Sequence, residues 1–109
     1  MANAYGISDA DEKLIRTRDT RCVYCLKLMK QPPFDAKERG DWATIEHFDN
    51  DGPLDALWNL GICCWACNSS KGVIPLTEWL KTDYCAQHSI NVHTVAEPVK
   101  IYLKRIGVA

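Results

Sequence analysis

The order of apolar and polar residues along the chain predicts helices around two short strands. Ser8, followed by three acidic residues, predicts the start of a helix that extends to about Thr17. Residues 42–48 are rich in β-branched and aromatic side chains and predict a strand, and residues 60–63 predict a second one. The segment 49–53 between them is typical of a turn or an exposed loop. This pattern predicts a small α+β fold.

Three further helices follow the second strand. Residues 65–71 predict a helix that ends at the following glycine. Residues 76–86 and 94–106 have helical apolar spacing, and Thr94 and Glu97 match a capping box at the start of the last helix. We expect the four tryptophans of the chain to pack in the core. They are Trp42, Trp58, Trp65 and Trp79.

Composition narrows the class of protein. The 109 residues are 47% hydrophobic and 25% charged, which indicates a single globular domain rather than a disordered or fibrous chain. No apolar run is long enough to cross a bilayer, and the first residues have neither the basic start nor the apolar stretch of a signal peptide. We therefore expect a cytoplasmic protein without a membrane partner.

Charge is distributed unevenly, although the net charge is only −1. Residues 13–39 contain eight basic and three acidic residues, whereas residues 41–60 contain five acidic residues and no lysine or arginine. A basic arm beside an acidic centre suits a phosphate-binding surface next to a cation site. An ordinary mixed surface accounts for the same pattern equally well.

Two C-x-x-C pairs predict a zinc site. They are Cys22 with Cys25 and Cys64 with Cys67, and 38 residues separate them. Each pair can direct two thiolates at one ion, so that two pairs complete a tetrahedral site. A redox-active pair or a set of buried thiols is the alternative, but the βαβ context of a redox pair is missing. The separation requires that a folded segment lie between the pairs.

The assignment of the third ligand is open at the sequence level, because Cys63 adjoins Cys64. The C-x-x-C spacing shared with the first pair favours Cys64. Cys63 and Cys85 are then left over, and we expect both to be buried free thiols.

Residues 21–72 contain, in this order, the motifs Cys22-x-x-Cys25, Ile45-Glu46-His47, Trp58-Asn59-Leu60 and Cys64-Trp-Ala-Cys67-Asn68-Ser-Ser-Lys71-Gly72. By the order of these motifs the chain resembles the HNH endonuclease family, the ββα-metal nucleases. This resemblance implies a ββα-metal core with a structural zinc. On this basis we predict one domain over residues 1–109, with that core at 21–72 and a helical extension at 73–109.

The resemblance also implies roles for single residues. His47 matches the general base, and Asn59 matches the asparagine that braces the loop that positions this base. Asn68 and Glu46 match the protein ligands of the catalytic cation, although the family usually has aspartate where this chain has Glu46. Lys71 has two readings, a phosphate contact with nucleic acid or a residue that helps to end a helix.

The residue after the base also departs from the family pattern. Many members follow the histidine with a hydrophobic-x-Pro segment, and this chain has Phe48-Asp49-Asn50-Asp51 instead. Asp49 and Asp51 are therefore alternative ligands for the cation.

Elementary chemistry agrees with these residue types. Hydrolysis of a phosphodiester needs a base for water and a cation for the developing negative charge. A histidine with a pKa near about 6.5 is a suitable neutral base, and carboxylate and amide oxygens suit Mg²⁺ or Mn²⁺. Neighbouring strand residues point to opposite faces, so Glu46 and His47 converge on one phosphate only if the strand ends or bulges there.

The sequence therefore predicts a metal-dependent endonuclease that hydrolyses DNA, which we expect to be double-stranded. Small chains of this type resemble phage or mobile-element proteins. Two alternatives are a non-catalytic, zinc-stabilised module that binds nucleic acid and a zinc protein that mediates protein contacts. The joint presence of Glu46, His47 and Asn68 favours the enzyme. We expect His88 and His93 to be ordinary surface or core residues.

Overall fold

Two antiparallel strands form the sheet of this protein, in a computed structural model that describes residues 3–108. Strand β1 is Ala43–His47 and strand β2 is Leu60–Cys64. The register pairs Ala43 with Cys64 and His47 with Leu60. Both predicted strands are confirmed, and all five residues of β2 are buried.

Helices surround this hairpin. Within residues 3–108 the structure has five α-helices: α1 (Asp9–Arg18), α2 (Trp65–Lys71), α3 (Leu76–Trp79), α4 (Asp83–Gln87) and α5 (Glu97–Arg105). Two short 3₁₀ turns, Arg39–Asp41 and Leu57–Asn59, immediately precede the regions of β1 and β2. The predicted α+β class is therefore correct, and α2 has the predicted bounds and ends at Gly72, whose φ is 51°.

Helix α1 begins as predicted and is fastened to the sheet at its end. The Ser8 hydroxyl accepts a hydrogen bond from the Asp11 N–H, which satisfies one unpaired donor of the first turn. At the other end, the Asp19 N–H donates to the carbonyl of Ile15. The buried carboxylate of Asp19 accepts the N–H of Ile62 at 3.0 Å. The end of α1 thereby covers part of the outer edge of β2.

The single helix predicted over residues 76–86 is wrong, because two short helices occupy this segment. The Thr82 hydroxyl donates to the Trp79 carbonyl at the end of α3 and accepts the N–H of Cys85 at the start of α4. Thr82 itself is extended, with ψ of 161°. Its side chain thus competes with the backbone ladder and interrupts the helix.

The capping box predicted at Thr94 is also wrong. Helix α5 begins at Glu97 with Ala96 as its N-cap, and Pro98 lies in its first turn. The Thr94 hydroxyl instead donates to the Ser89 carbonyl. The Ala96 N–H donates to the Val23 carbonyl at 2.8 Å, so a tertiary contact fixes the start of this helix.

One buried cluster lies under the hairpin and includes residues from α1 to α5. The prediction for the tryptophans holds for Trp79, which is fully buried, and Trp58 packs against the cluster from its edge. It is wrong for Trp65, whose side chain is 38% exposed. Trp42 lies outside the cluster as well and is half-buried.

The predicted domain bounds, residues 1 and 109, lie outside the described residues. Within residues 3–108, no helix combines the length and the apolar character that crossing a membrane requires.

A substitution in β2 tests the packing of the hairpin. A Cβ atom at Gly61 would lie 2.8 Å from Cζ of the buried Phe48 ring, so we expect Gly61→Ala to lower the free energy of unfolding by about 1–3 kcal/mol. The control is Gly40→Ala, because the nearest atom to its new Cβ would be 3.8 Å away. Urea unfolding of both variants checks this, and equal stability of the two variants would contradict it.

Candidate functional site

Four cysteine thiols converge at the end of the hairpin where β1 begins and β2 ends. The Sγ atoms of Cys22, Cys25, Cys64 and Cys67, here called the four-cysteine cluster, all lie within 4.8 Å of one another. The Sγ atoms of Cys25 and Cys64 are 3.9 Å apart. Tetrahedral zinc with Zn–S bonds of about 2.3 Å separates its sulfurs by about 3.8 Å. The geometry is therefore compatible with a structural zinc ion.

Backbone amides support the sulfurs of the cluster. The N–H groups of Tyr24 and Cys25 donate to Cys22 Sγ at 3.4 and 3.5 Å, and the Cys67 N–H donates to Cys64 Sγ at 3.4 Å. Cys64 is also the N-cap of α2, so its sulfur takes the place that a serine or aspartate oxygen usually has. Such donors favour thiolates, the form that binds metal.

Tyr84 on α4 reaches the cluster from the C-terminal part of the chain. Its hydroxyl lies 3.3 Å from Cys67 Sγ. Burial, together with the hydrogen bond to Cys67, raises the pKa of the Tyr84 phenol, so the hydroxyl stays protonated and donates to the sulfur. Helix α4 is thus linked to the four-cysteine cluster.

The structure distinguishes the two neighbouring cysteines. Cys64 belongs to the four-cysteine cluster, whereas Cys63 lies outside it and beside Thr44. Burial raises the pKa of the Cys63 thiol, which keeps it neutral. Cys85 is likewise a buried free thiol. Within the described residues, the cluster is the one group of three or more cysteine, histidine or carboxylate side chains close enough to share an ion.

His47 lies at the other end of the hairpin and is nearly buried. Its Nε2 is 2.9 Å from the carbonyl oxygen of Leu54, and its ring meets the ring of Tyr5 edge-on with centroids 4.6 Å apart. Because a carbonyl oxygen only accepts, Nε2 carries the proton in this contact. The neutral imidazole then keeps its lone pair on Nδ1.

The loop that contains Leu54 is held by Asn59. The Asn59 amide donates to the carbonyls of Asp49 and Pro53, each at 2.9 Å, and its oxygen accepts the Asp49 N–H at 2.8 Å. All of these bonds are made by one fully buried side chain. A single asparagine thereby fixes both ends of the segment 49–53, next to the carbonyl that orients His47.

Glu46 points to the opposite face of β1 from His47 and enters the interior. Its carboxylate accepts a hydrogen bond from the Tyr24 hydroxyl and lies 3.3 Å from the ammonium of Lys71. Glu46 is 3% exposed and Lys71 is fully buried. Burial raises the pKa of Glu46, and the Lys71 charge and the Tyr24 hydrogen bond oppose this effect. Lys71 also donates to the His47 carbonyl.

Asn68 packs one turn before Lys71 on the same face of α2. Its amide nitrogen donates to the Thr44 hydroxyl at 2.9 Å and to the Ile45 carbonyl at 3.1 Å. These bonds attach α2 to β1. Asn68 and Glu46 therefore both lie between the helix and the strand, each with protein partners of its own.

The candidate residues are brought together only in part. In this arrangement the cation at Glu46 is the Lys71 ammonium, so a divalent ion does not fit there unless Lys71 moves away. His47 and Glu46 are consecutive residues of β1 with different partners, the Leu54 carbonyl for His47 and the Tyr24 hydroxyl and Lys71 ammonium for Glu46. The Asp49 carboxylate accepts the N–H of Asp51. The roles drawn from the resemblance for His47, Glu46, Asn59, Asn68 and Lys71 stay predictions.

Three contacts of the site were not predicted from the sequence. The only sequence feature that marks Tyr24 is its position inside the first C-x-x-C pair, and this does not predict its contact with Glu46. Tyr84 lies 17 residues beyond its partner Cys67. The Leu54 carbonyl is a backbone group, and the residue type at a position does not predict which side chain its backbone will contact. Each contact depends on tertiary packing rather than on local spacing.

Comparisons of the chain with protein-family models, with curated proteins and with solved structures give no match. The resemblance to the HNH family therefore rests on the residues of this chain alone.

Removal of the metal from the cluster tests its structural role. Zinc in small domains contributes about 10–16 kcal/mol, which is comparable with a whole domain's stability of about 5–15 kcal/mol. We expect about one zinc per chain and loss of cooperative unfolding in Cys25→Ser and Cys67→Ser. Elemental analysis and thermal melts measure both quantities. The control Cys85→Ala removes a buried thiol but is expected to keep the zinc, and an unchanged melt of metal-free wild type would contradict the idea.

Removal of Lys71 tests the buried pair. We expect Lys71→Met to lower the free energy of unfolding by about 3–5 kcal/mol at pH 8, because it leaves a buried carboxylate without its cation. The pKa of Glu46 then rises further. Glu46 then takes up a proton more readily in the folded state than in the unfolded state. The loss of unfolding free energy therefore becomes smaller as pH falls from above the folded-state pKa of Glu46 towards its unfolded-state pKa.

Urea unfolding at pH 8 and pH 5.5, each relative to wild type, measures this effect. The control is Lys30→Met, which breaks the exposed pair with Glu38 and is expected to leave the free energy of unfolding nearly unchanged at both pH values. A loss for Lys71→Met that is the same at both pH values would refute the explanation.

Proposed function

We propose that this protein is a metal-dependent endonuclease of the HNH type that hydrolyses DNA phosphodiester bonds. One observation carries the proposal. Asn59 braces the loop whose Leu54 carbonyl accepts the Nε2 proton of His47. This is the arrangement that a histidine base needs, because the tautomer and the ring orientation are both fixed before substrate binds. The ordered motifs and the four-cysteine cluster beside the same hairpin support the proposal.

In this mechanism, His47 acts through Nδ1. With Nε2–H donated to Leu54, Nδ1 accepts a proton from the attacking water. The ring becomes an imidazolium whose new charge faces the phosphodiester, and the Leu54 carbonyl still holds Nε2. Tyr5 packs against the ring and restricts its rotation.

The catalytic cation, Mg²⁺ or Mn²⁺, belongs to the proposal as the group that neutralises phosphate charge. Glu46 and Asn68 are its proposed ligands. Glu46 would hold such a cation only in place of its contact with the Lys71 ammonium. Asp49 and Asp51, in the loop beside His47, are the alternative ligands. Zinc in the four-cysteine cluster is structural in this proposal.

A non-catalytic module that binds nucleic acid is the second candidate. The observation that favours it is the buried contact of Glu46 with Tyr24 and Lys71, which satisfies the carboxylate without a metal. A binding module requires neither a free carboxylate nor a basic Nδ1 on His47. The two candidates therefore differ in whether DNA is cut.

Nicking of supercoiled plasmid tests the proposal. We expect wild type to nick DNA with millimolar Mg²⁺ or less Mn²⁺, and His47→Ala to be about 10²–10⁴-fold slower. The metal is omitted rather than chelated in the blank, because a chelator would also remove structural zinc. Zinc content and the thermal melt are measured in parallel to separate lost chemistry from lost fold.

His93→Ala is the matched control, since this exposed histidine contacts Asn91 through its backbone N–H, which the variant keeps. If His47→Ala cuts as fast as wild type, His47 is not the base. If wild type binds DNA but cuts none with either metal, the second candidate replaces the first.

A further inference from the structure

A stack of aromatic rings and one guanidinium lies at the surface near the start of β1. The rings of Phe34 and Trp42 are nearly parallel, with centroids 4.7 Å apart and 12° between their planes. Arg39 Cζ lies 5.3 Å from the centroid of the Trp42 ring and 5.7 Å from that of the Trp65 ring. We call these four residues the aromatic–arginine surface.

The aromatic–arginine surface is at the opposite end of the hairpin from His47. Trp42 directly precedes β1 and Trp65 directly follows β2, and the Trp65 N–H donates to the Trp42 carbonyl. Five strand residues at about 3.3 Å each place His47 about 16 Å further along β1. The surface is thus separate from the proposed catalytic residues.

Large aromatic side chains on this surface remain in contact with solvent. Phe34 is 39% exposed and Trp65 is 38% exposed. The Trp42 indole N–H is the one buried side-chain donor or acceptor without a partner among the described residues. These rings therefore stack outside the buried core cluster, and the Trp42 N–H makes no hydrogen bond there. Such an arrangement is typical of a surface that binds a partner.

Among the described residues Arg39 has no acidic partner, in contrast to two lysines of the same arm. Lys27 pairs with Asp41 and Lys30 pairs with Glu38. Within residues 3–108 the guanidinium of Arg39 makes neither an ion pair nor a hydrogen bond, and two indole rings fix its position. An ordered guanidinium with unused donors is suited to a phosphate.

The chemistry of the surface points to a polyanionic partner with planar groups. Phe34 and Arg39 lie in the basic arm over residues 13–39, which has eight basic and three acidic residues, and Trp42 and Trp65 lie beyond it. The unpaired guanidinium of Arg39 attracts phosphate groups, and the exposed rings beside it offer faces on which bases stack. Stacking on a protein ring requires an unpaired base, since duplex bases cover each other's faces.

We propose that the aromatic–arginine surface binds single-stranded nucleic acid. Unpaired bases stack on the exposed faces of Phe34 and Trp65, and Arg39 binds an adjacent phosphate. This inference goes beyond the proposed nuclease function and does not depend on it, because the surface needs neither His47 nor a catalytic cation.

Fluorescence anisotropy of a labelled thymidine 12-mer with the full, zinc-loaded chain tests the inference. Added divalent metal is omitted so that nothing is cleaved, and the salt concentration is held constant. Competitors are a 12-base-pair duplex and inorganic polyphosphate, which carries charge without bases. We expect the single strand to bind at least about 10-fold more tightly than either competitor.

Two matched pairs of variants locate the contact. Phe34→Ser is expected to weaken binding by about 5-fold to 100-fold, whereas Leu14→Ser, at a 50% exposed residue of α1, is expected to leave it unchanged. Arg39→Gln is expected to weaken binding too. Its control is Arg105→Gln, which loses the same charge from a guanidinium 4.0 Å from the Trp58 ring centroid.

Three results would overturn the inference: equal affinity for strand, duplex and polyphosphate; wild-type affinity of Phe34→Ser; or equal losses for Arg39→Gln and Arg105→Gln. Absence of oligonucleotide binding overturns it as well and leaves a protein partner as the occupant. If the protein binds the single strand but nicks no plasmid, only the nuclease proposal is refuted. If the protein nicks plasmid but does not prefer the single strand, only the present inference is refuted.

Discussion

The four-cysteine cluster is the constraint on which the rest of the fold depends. It joins two chain segments that 38 residues separate, and the whole β-hairpin lies within the loop that it closes. A two-stranded sheet is only marginally stable by itself, and the helices packed on it are short. A zinc ion bound by the cluster only in the folded arrangement would stabilise all of these weak elements together. Tyr84 would extend this dependence to helix α4.

The two ends of the hairpin are made rigid by different means. Sulfurs hold the end at Cys64, whereas one buried asparagine, Asn59, holds the loop at the end with His47. An asparagine can do this because its amide both donates and accepts, so one side chain bonds three backbone groups of the loop. The orientation of His47 is then a consequence of loop backbone geometry. This explains how an imidazole ring can be held in one orientation in so small a protein.

Most elements near the cysteines were predictable, because local spacing determines them. The hairpin strands, α2 and the capped start of α1 follow from side-chain pattern, and C-x-x-C spacing identifies Cys64 rather than Cys63. The later helices were less predictable, since Thr82 interrupts one and a bond to the Val23 carbonyl fixes the start of another. The partners of Glu46 were not predictable either, because they come from a turn and a helix that sequence spacing does not place beside it.

In the proposed nuclease, the buried contact with Lys71 and the catalytic cation would compete for the Glu46 carboxylate. A buried carboxylate needs a counter-charge, and in this structure the chain supplies it from its own last turn of α2. A divalent ion carries more charge than the Lys71 ammonium. Its binding would, however, have to offset the free-energy cost of moving this ammonium out of its fully buried position. Phosphate groups of bound DNA would favour that transfer, because they attract the released ammonium and the incoming ion together. In the proposed nuclease, cation binding at Glu46 would therefore be weak without DNA and coupled to DNA binding, whereas the contact that orients His47 needs neither.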